Sequence, residues 1–350
     1  MPVEIIFLSS FIVMIVGFLL LDLLVIGKQS HVVSLREAAI WSAVWILLAL
    51  AFSFFLRYFA EVVHGIRDFE HLREIVRHYN PHLELDPSSF ERSIEIFRKE
   101  TMLNYLSGYL IEKTLSIDNL FVMMAILSSF SVKKINYKSV LFWGILGAIV
   151  MRFIFIFVGA ELIYRFEWLL YILGGYLLYA GVKMYLDRNK KYTIEPQNHR
   201  LVKFLSRNFK VFPRYVGGRF FIRKRGVLYI TPLFIVLIFI EFTDVLFAID
   251  SIPAIFAITF DPYIVFFSNI FAILGLRSLF FLLVKVEEKF YLLKSGVAIL
   301  LVYVGLKLFL HDWLHHIGFK PSYSLYVILA VIVFSIVFSL IIPKKKEEID

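Results

Sequence analysis

Two stretches of this chain set acids in otherwise apolar surroundings: EKTLSIDNLF, residues 112–121, and DVLFAIDSIP, residues 244–253. At a constant offset of 132 residues, Glu112, Asp118 and Asn119 of the first fall on Asp244, Asp250 and Ser251 of the second, and Glu241 stands one turn ahead of Asp244. Carboxylate, amide and hydroxyl oxygens are hard ligands. They suit Mg2+, Ca2+ or Mn2+, whereas zinc and copper usually recruit His or Cys. An acid at mid-membrane costs on the order of 2.5–3.5 kcal/mol on insertion scales, so Glu112, Asp118, Glu241, Asp244 and Asp250 together exceed ~12 kcal/mol unless something compensates them. Arg152, Arg277 and Lys113 supply fewer positive charges than there are acids. The surplus must be met by a cation or by protons, and a site that accepts either is what exchange requires. The competing reading is that Arg152 and Arg277 only pair with the acids and lock the bundle.

The elements that must position these residues follow from composition. The chain has 350 residues, 60% of them hydrophobic and 17% aromatic, with a mean hydropathy of +0.79. Soluble domains sit near 45–50% apolar, and a bilayer core of about 30 Å needs roughly 20 apolar residues to cross it. The sequence therefore predicts an all-α polytopic membrane protein with about nine spans, near 5–27, 38–59, 105–130, 137–163, 167–186, 228–258, 264–284, 290–310 and 323–342. The first lacks a basic start and a small-residue cleavage site, and reads as a retained span. Lys and Arg favour the cytoplasmic side. Twelve of them fall between residues 187 and 226, while the acidic 60–104 segment holds six. This predicts an inner (plasma) membrane protein with its N-terminus outside and its C-terminus in the cytoplasm. The organisation is then two N-terminal spans (1–59), an extracytoplasmic amphipathic segment (60–104), a first repeat (105–186), a basic cytoplasmic loop (187–227), a second repeat (228–310), and a last span with a basic tail (311–350).

The repeat rests on three consecutive matches. After the acidic motifs, GILGAIVMRFIFIF with Arg152 answers NIFAILGLRSLFFL with Arg277, and YAGVK (179–183) answers YVGLK (303–307). A unit of three spans enters the membrane from opposite sides in its two copies, the inverted 3+3 plan by which many secondary transporters build a midplane site. On a straight helix Glu112, Ser116 and Asn119 share a face, as do Asp244 and Ser251, while Asp118 and Asp250 lie about 120° away. Pro253 predicts a break near 250–253 that would turn Asp250 inward. Gly181 and Gly305 predict close helix contact, and Tyr179, Tyr303, Lys183 and Lys307 predict interface anchors. Ser88 with Glu91 predicts a capped amphipathic helix in the outer segment.

Several functions are excluded or disfavoured. With no cysteine, disulfides, thiolate metal sites and iron–sulfur ligation are ruled out. No histidine lies deep in a span; His311, His315 and His316 read as a wet interfacial cluster, and haem ligation is not expected. The net charge of +9 is concentrated in the basic loop, which predicts lipid headgroups as its partner and no nucleic acid. No phosphate-cradling GxxxxGK[ST] loop is present. No His partner or HExxH pair accompanies the acids, so an enzyme is not expected.

These stretches resemble the TerC family, including its Alx-like branch. The resemblance is carried by GYLIEKTLSIDNLFV (108–122), GILGAIVMRFIFIF (144–157), IEFTDVLFAIDSIPAIFAITFDP (240–262), SNIFAILGLRSLFFLL (268–283) and LDLLVIGKQSHVVSLREAAIW (21–41). It implies a multi-span inner-membrane protein of metal homeostasis, with manganese export as its main role and tellurium resistance as the historical label. It also implies that Glu112, Asp118, Asn119, Glu241, Asp244, Asp250 and Ser251 form the metal site, with Asp22 as an additional acid. Tellurium oxyanions would prefer the arginines to these carboxylates. The outer segment 60–104 is longer than the family pattern. The first reading is therefore a secondary transporter that exports Mn2+ by alternating access with proton exchange, holding no permanent cofactor. The alternative is a non-transporting scaffold or metal-delivery partner. A membrane-protein partner or a second copy of the chain is compatible with both.

Overall fold

The computed structural model describes residues 3–27, 34–81, 83–166, 168–187, 200–286, 292–310, 313–314 and 321–341. Thirteen helices are described: α1 (Val3–Gly27), α2 (Leu35–Phe59), α3 (Glu61–His64), α4 (Phe69–Tyr79), α5 (Phe90–Ser129), α6 (Lys134–Arg165), α7 (Leu169–Leu186), α8 (Arg200–Asn208), α9 (Pro232–Phe256), α10 (Pro262–Leu274), α11 (Leu276–Val286), α12 (Leu293–Phe309) and α13 (Pro321–Ile341). One antiparallel hairpin, β1 (Phe221–Lys224) with β2 (Val227–Ile230), pairs Phe221 with Ile230 and Lys224 with Val227. Five helices, α1, α2, α6, α7 and α9, are long and apolar enough to cross a membrane, and the bent pair α10–α11 makes a sixth; α12 and α13 contain shorter apolar helices. Their outward faces carry exposed Val13, Leu47, Phe54, Val150 and Val158. Apolar surface of that extent belongs against lipid.

Helix α10 is the hub. Twelve of its thirteen residues are buried, and it packs against α5, α6 and α2. A helix that is apolar all round has no water-facing side to offer. Its phenylalanines interlock with α1 and α2: the rings of Phe11 and Phe267 are 4.4 Å apart, and those of Phe52 and Phe271 are 5.0 Å apart.

Packing follows a regular exchange between the two runs α5–α6–α7 and α9–α10–α12. The first helix of each packs on the second helix of the other, α5 on α10 and α9 on α6, and the third helices α7 and α12 pack together. That last pair is antiparallel, because Gly174 meets Leu308 and Gly305 while Gly181 meets Ala298 and Val302. A Cβ at Gly305 would sit 2.9 Å from the Gly174 carbonyl oxygen and 2.9 Å from the Leu178 nitrogen. The contact is backbone to backbone and cannot yield by turning a side chain. Gly305→Val is therefore expected to cost about 1–3 kcal/mol or more, read as a lowered unfolding midpoint in detergent, while Leu306→Ala, at an exposed position next to it, costs less.

Two faces of the bundle are distinguishable. On one, His64 at the end of α3 meets Glu4 at the start of α1 and Asp261 at the start of α10. On the other, the Tyr215 hydroxyl donates to the Phe130 carbonyl at 2.6 Å, bringing the loop after α8 to the end of α5.

Several expected boundaries shift. Helix α5 is 40 residues long, about 60 Å at 1.5 Å per residue, so the outer amphipathic helix and the third span are one rod with no boundary at 104/105. Its cap is Ser89, whose side chain accepts from the Arg92 nitrogen. Ser88 instead donates its hydroxyl to Asp86 at 2.5 Å. The expected span 228–258 begins only at Pro232, because residues 227–230 belong to β2. Helix α9 also runs unbroken through Pro253 to Phe256. Pro253 lies inside that helix, the fourth residue from its end, and its missing N–H leaves the Ile249 carbonyl without its helical donor. The break falls in the next span, where α10 and α11 meet at Gly275 with a bend of 41°. His311, His315 and His316 lie outside the described residues.

Candidate functional site

The two aligned acids Glu112 and Asp244 come together on one guanidinium. Arg152, on α6, is 0% exposed. Its Nη1 lies 2.5 Å from Glu112 Oε1, and its Nη2 lies 3.9 Å from Asp244 Oδ1. The same Nη1 donates to Asn269 Oδ1 on α10 at 2.5 Å. Four helices thus contribute: α5 gives Glu112, α6 gives Arg152, α9 gives Asp244 and α10 gives Asn269. Spacing along α5 works as expected, since Ser116 donates its hydroxyl to Glu112 Oε1 across one turn at 3.1 Å. Gly108, one turn earlier, lets α10 approach so closely that a Cβ there would meet Ser268 Oγ at 2.8 Å.

On the same helices, at the ion pair or about two turns along from it, lie buried polar atoms without a hydrogen-bond partner among the described residues. They are Glu112 Oε2, Asp244 Oδ2, Asn119 Nδ2, Ser251 Oγ, and Nε and Nη2 of Arg152. Orphaned polar atoms are uncommon in folded interiors, and each costs about 1–3 kcal/mol. Ser42, Asn104 and Ser107 hold others, and the rest fall on Arg152 and on the paired positions 112/244 and 119/251 of the two motifs. The arrangement has hard oxygens to offer a cation or a proton.

The remaining candidates are placed as follows. Glu241 is half-buried on α9, one turn from Asp244, and its carboxylate lies on Gly147 of α6, where any Cβ would overlap it. Lys113 takes a partner other than an acid: its ammonium donates to the Ala272 carbonyl at 3.1 Å. That carbonyl belongs to the last turn of α10, so Lys113 serves the bend at Gly275, where an added Cβ would sit 2.7 Å from the ammonium nitrogen. Arg277 is buried on α11, beyond the bend. Asp22, Asp118 and Asp250 lie within α1, α5 and α9, and their side chains fall outside the described residues. Among the described residues, no three His, Asp or Glu side chains converge as a preformed metal shell. Asn269 is the site residue that sequence reasoning passed over. Its signal was present: an amide in the apolar run SNIFAIL, eight residues ahead of Arg277.

The fold and this site define a multi-pass α-helical membrane protein in which the buried acids Glu112 and Asp244 meet one arginine. The chain belongs to the TerC family: the family model described as "Integral membrane protein TerC family" matches residues 97–347. It is 42% identical over 308 residues to the "Putative membrane-bound redox modulator Alx" of Salmonella typhi, covering 88% of this chain and 86% of that one. It is 40% identical over 333 residues to the "Uncharacterized membrane protein STKORF319" of Myxococcus xanthus, covering 95% and 91%. An "Uncharacterized membrane protein" of Rickettsia felis is 36% identical over 340 residues, covering 97% and 98%. No solved structure was found to match the chain.

Proposed function

We propose that this protein is a secondary transporter that exports a divalent cation, Mn2+ before Ca2+ or Mg2+, by alternating access with proton exchange. The observation that carries the reading is the pair of orphaned oxygens on Glu112 and Asp244 beside one buried arginine, with a third on Ser251 about two turns along α9. In this reading Glu112, Asp118, Asp244 and Asp250 hold the cation, Asn119 and Ser251 add neutral polar groups, and Glu241 accepts a proton or ligates. Arg152 stands between Glu112 and Asp244 and neutralises them whenever the cation does not. A carrier with such a counter-ion keeps its buried carboxylates compensated through the return half of its cycle.

The inverted 3+3 repeat belongs to the same proposal. It is supported by the exchange pattern of helix contacts and by the antiparallel meeting of α7 with α12. Nine spans follow if α5, α12 and α13 cross the membrane along with the six apolar spans. The basic hairpin 221–230 and α8 then face the cytoplasm, and Glu4, His64 and Asp261 face outward. Hard-ligand chemistry sets Mn2+ apart from copper. The family resemblance places Mn2+ ahead of the other hard cations. The relatives' name of redox modulator finds no thiol here to act through, since the chain has no cysteine.

A second reading has its own support. The short Arg152–Glu112 pair is also what a purely structural lock would show, in a scaffold or metal-delivery partner that uses the 60–104 segment. Neither reading makes the chain an enzyme. Mn2+ flux into sealed proteoliposomes under an imposed pH gradient separates them. Wild type is expected to carry Mn2+, and Asp244→Asn is expected to lose flux while keeping its unfolding midpoint. A folded wild-type protein without flux, or unchanged flux in Asp244→Asn, would leave the lock as the better account.

A further inference from the structure

We propose that His64, Glu4 and Asp261 form a proton-operated tie at the face opposite the basic hairpin, which positions α10 against the Arg152 cluster. The effect on transport rests on the transporter reading; the tie itself does not.

The geometry requires a proton. His64 Nδ1 lies 2.9 Å from Glu4 Oε1, and His64 Nε2 lies 2.8 Å from Asp261 Oδ2. A neutral imidazole has one N–H and one lone pair, so it satisfies one carboxylate and repels the other, while the imidazolium donates to both. The three side chains come from three separate elements: the first turn of α1, the end of α3 and the cap of α10. His64 is 3% exposed. Protons have a route to it, because Glu4 and His64 both line a cavity of about 440 Å³ shared with His71, Glu74, His78 and Tyr79 of α4.

Asp261 carries the tie into the bundle. Its Oδ1 accepts from the Tyr263 nitrogen at 2.9 Å and the Ile264 nitrogen at 3.4 Å, capping α10, while Oδ2 takes His64. A carboxylate is favoured at a helix N-terminus. Two turns further along the same helix, Asn269 accepts from Arg152. Fixing the cap therefore fixes the axial position of the amide that holds the arginine. Because α10 is buried almost throughout, it responds as a rod rather than by local bending.

The titration has a defined sign. Burial alone pushes the imidazolium down, but the charges and hydrogen bonds of Asp261 and Glu4 outweigh it and raise His64 to about 9. The other groups facing it are Tyr79, with its ring 5.3 Å from that of His64, and Tyr263, whose hydroxyl reaches Glu4 Oε2 at 3.5 Å. His71, Glu74 and His78 face it across the cavity, and Glu161 of α6 acts on Tyr79. Glu61, on α3 itself, is paired with Arg98. Burial, Asp261 and Glu4 push the Tyr79 phenol upward, so it stays protonated alongside. With a folded value above the unfolded one, the stability the tie contributes is fully present below pH about 6.5, and the tie itself opens as pH rises through about 9. The bond to Glu4 breaks first, because the Glu4 side chain is 24% exposed against 8% for Asp261 and Tyr263 can satisfy it.

The test uses the full chain in lipid nanodiscs. Histidine-labelled NMR, with His64→Gln to assign the signal, is expected to show an imidazole titrating near pH 9. Spin labels at Ser9→Cys and Tyr58→Cys are unique because the chain has no cysteine. They should show α1 moving away from α2 between pH 7 and 10, and no movement in His64→Gln. If His64→Gln does not fold, Glu4→Gln serves instead and should lower the His64 midpoint by about one unit or more. In proteoliposomes, raising only the pH on the Glu4 face through 9 should change Mn2+ flux by at least about fivefold, and His64→Gln should flatten that response. A His64 midpoint below 7, or the same pH response in His64→Gln, overturns the tie. Absence of Mn2+ flux at every pH would count against the transporter reading, and the NMR and spin-label results would still decide the tie.

Discussion

Arg152→Leu is expected to destabilise the protein by about 3–5 kcal/mol, the cost of leaving a buried charge without its partner. The guanidinium is 0% exposed and lies 2.5 Å from Glu112 and 3.9 Å from Asp244. Removing it strands two carboxylates in an apolar bundle and deprives Asn269 of its donor. Leucine restores none of these interactions. Adding Glu112→Gln to Arg152→Leu should recover more than half of the loss, because the closer of the two stranded charges is gone. Chemical unfolding of the single and double variants in detergent measures this coupling. If the losses simply add, the two residues are not a pair, and the cluster does not organise the bundle as described.

Glu112→Gln alone is expected to destabilise the fold less than Arg152→Leu does, because Asp244 and Asn269 still partner the guanidinium, and to reduce metal-dependent flux about a hundredfold. The amide keeps the shape of the side chain and can still accept from Ser116, which now donates to Glu112 Oε1 at 3.1 Å. Arg152 retains Asn269 and Asp244 as partners. What is lost is one of the negative charges that a divalent cation must find. Truncating one side of a buried, hydrogen-bonded charge pair costs about 2–5 kcal/mol, and every 1.4 kcal/mol is tenfold in affinity. Glu112→Asp keeps the charge but withdraws it by one methylene, so it should retain more flux than the glutamine. Equal flux in Glu112→Gln and wild type would remove Glu112 from the cation path and leave it as Arg152's structural partner.

Other features were only partly legible. The spacing of Glu112, Ser116 and Asn119 on one face is realised directly, because an α-helix converts sequence interval into direction without help from its neighbours. The equivalence of Gly181 and Gly305 is realised as backbone contact between α7 and α12. Proline is a strong local signal, yet the helix assignment continues through Pro253 to Phe256, and the break between helices comes in the next span at Gly275. There a glycine gives the room and Lys113, on a different helix, supplies a donor for the Ala272 carbonyl. Ser88, with Glu91 three residues on, fitted the capping pattern, yet Ser89 is the cap. Asp86 decided between them by accepting the Ser88 hydroxyl.

The sequence by itself determined the membrane class and which apolar stretches carry acids, because hydropathy and residue type are local properties of the chain. The tertiary structure alone decided that Glu112 and Asp244 share Arg152, that Asn269 completes the set, and that His64 joins Glu4 to Asp261. Asn269 is 117 residues from Arg152, and Asp261 is 197 from His64. At such separations partners are chosen by how buried helices pack around α10, since a charge or amide removed from water must find its complement wherever the packing brings one.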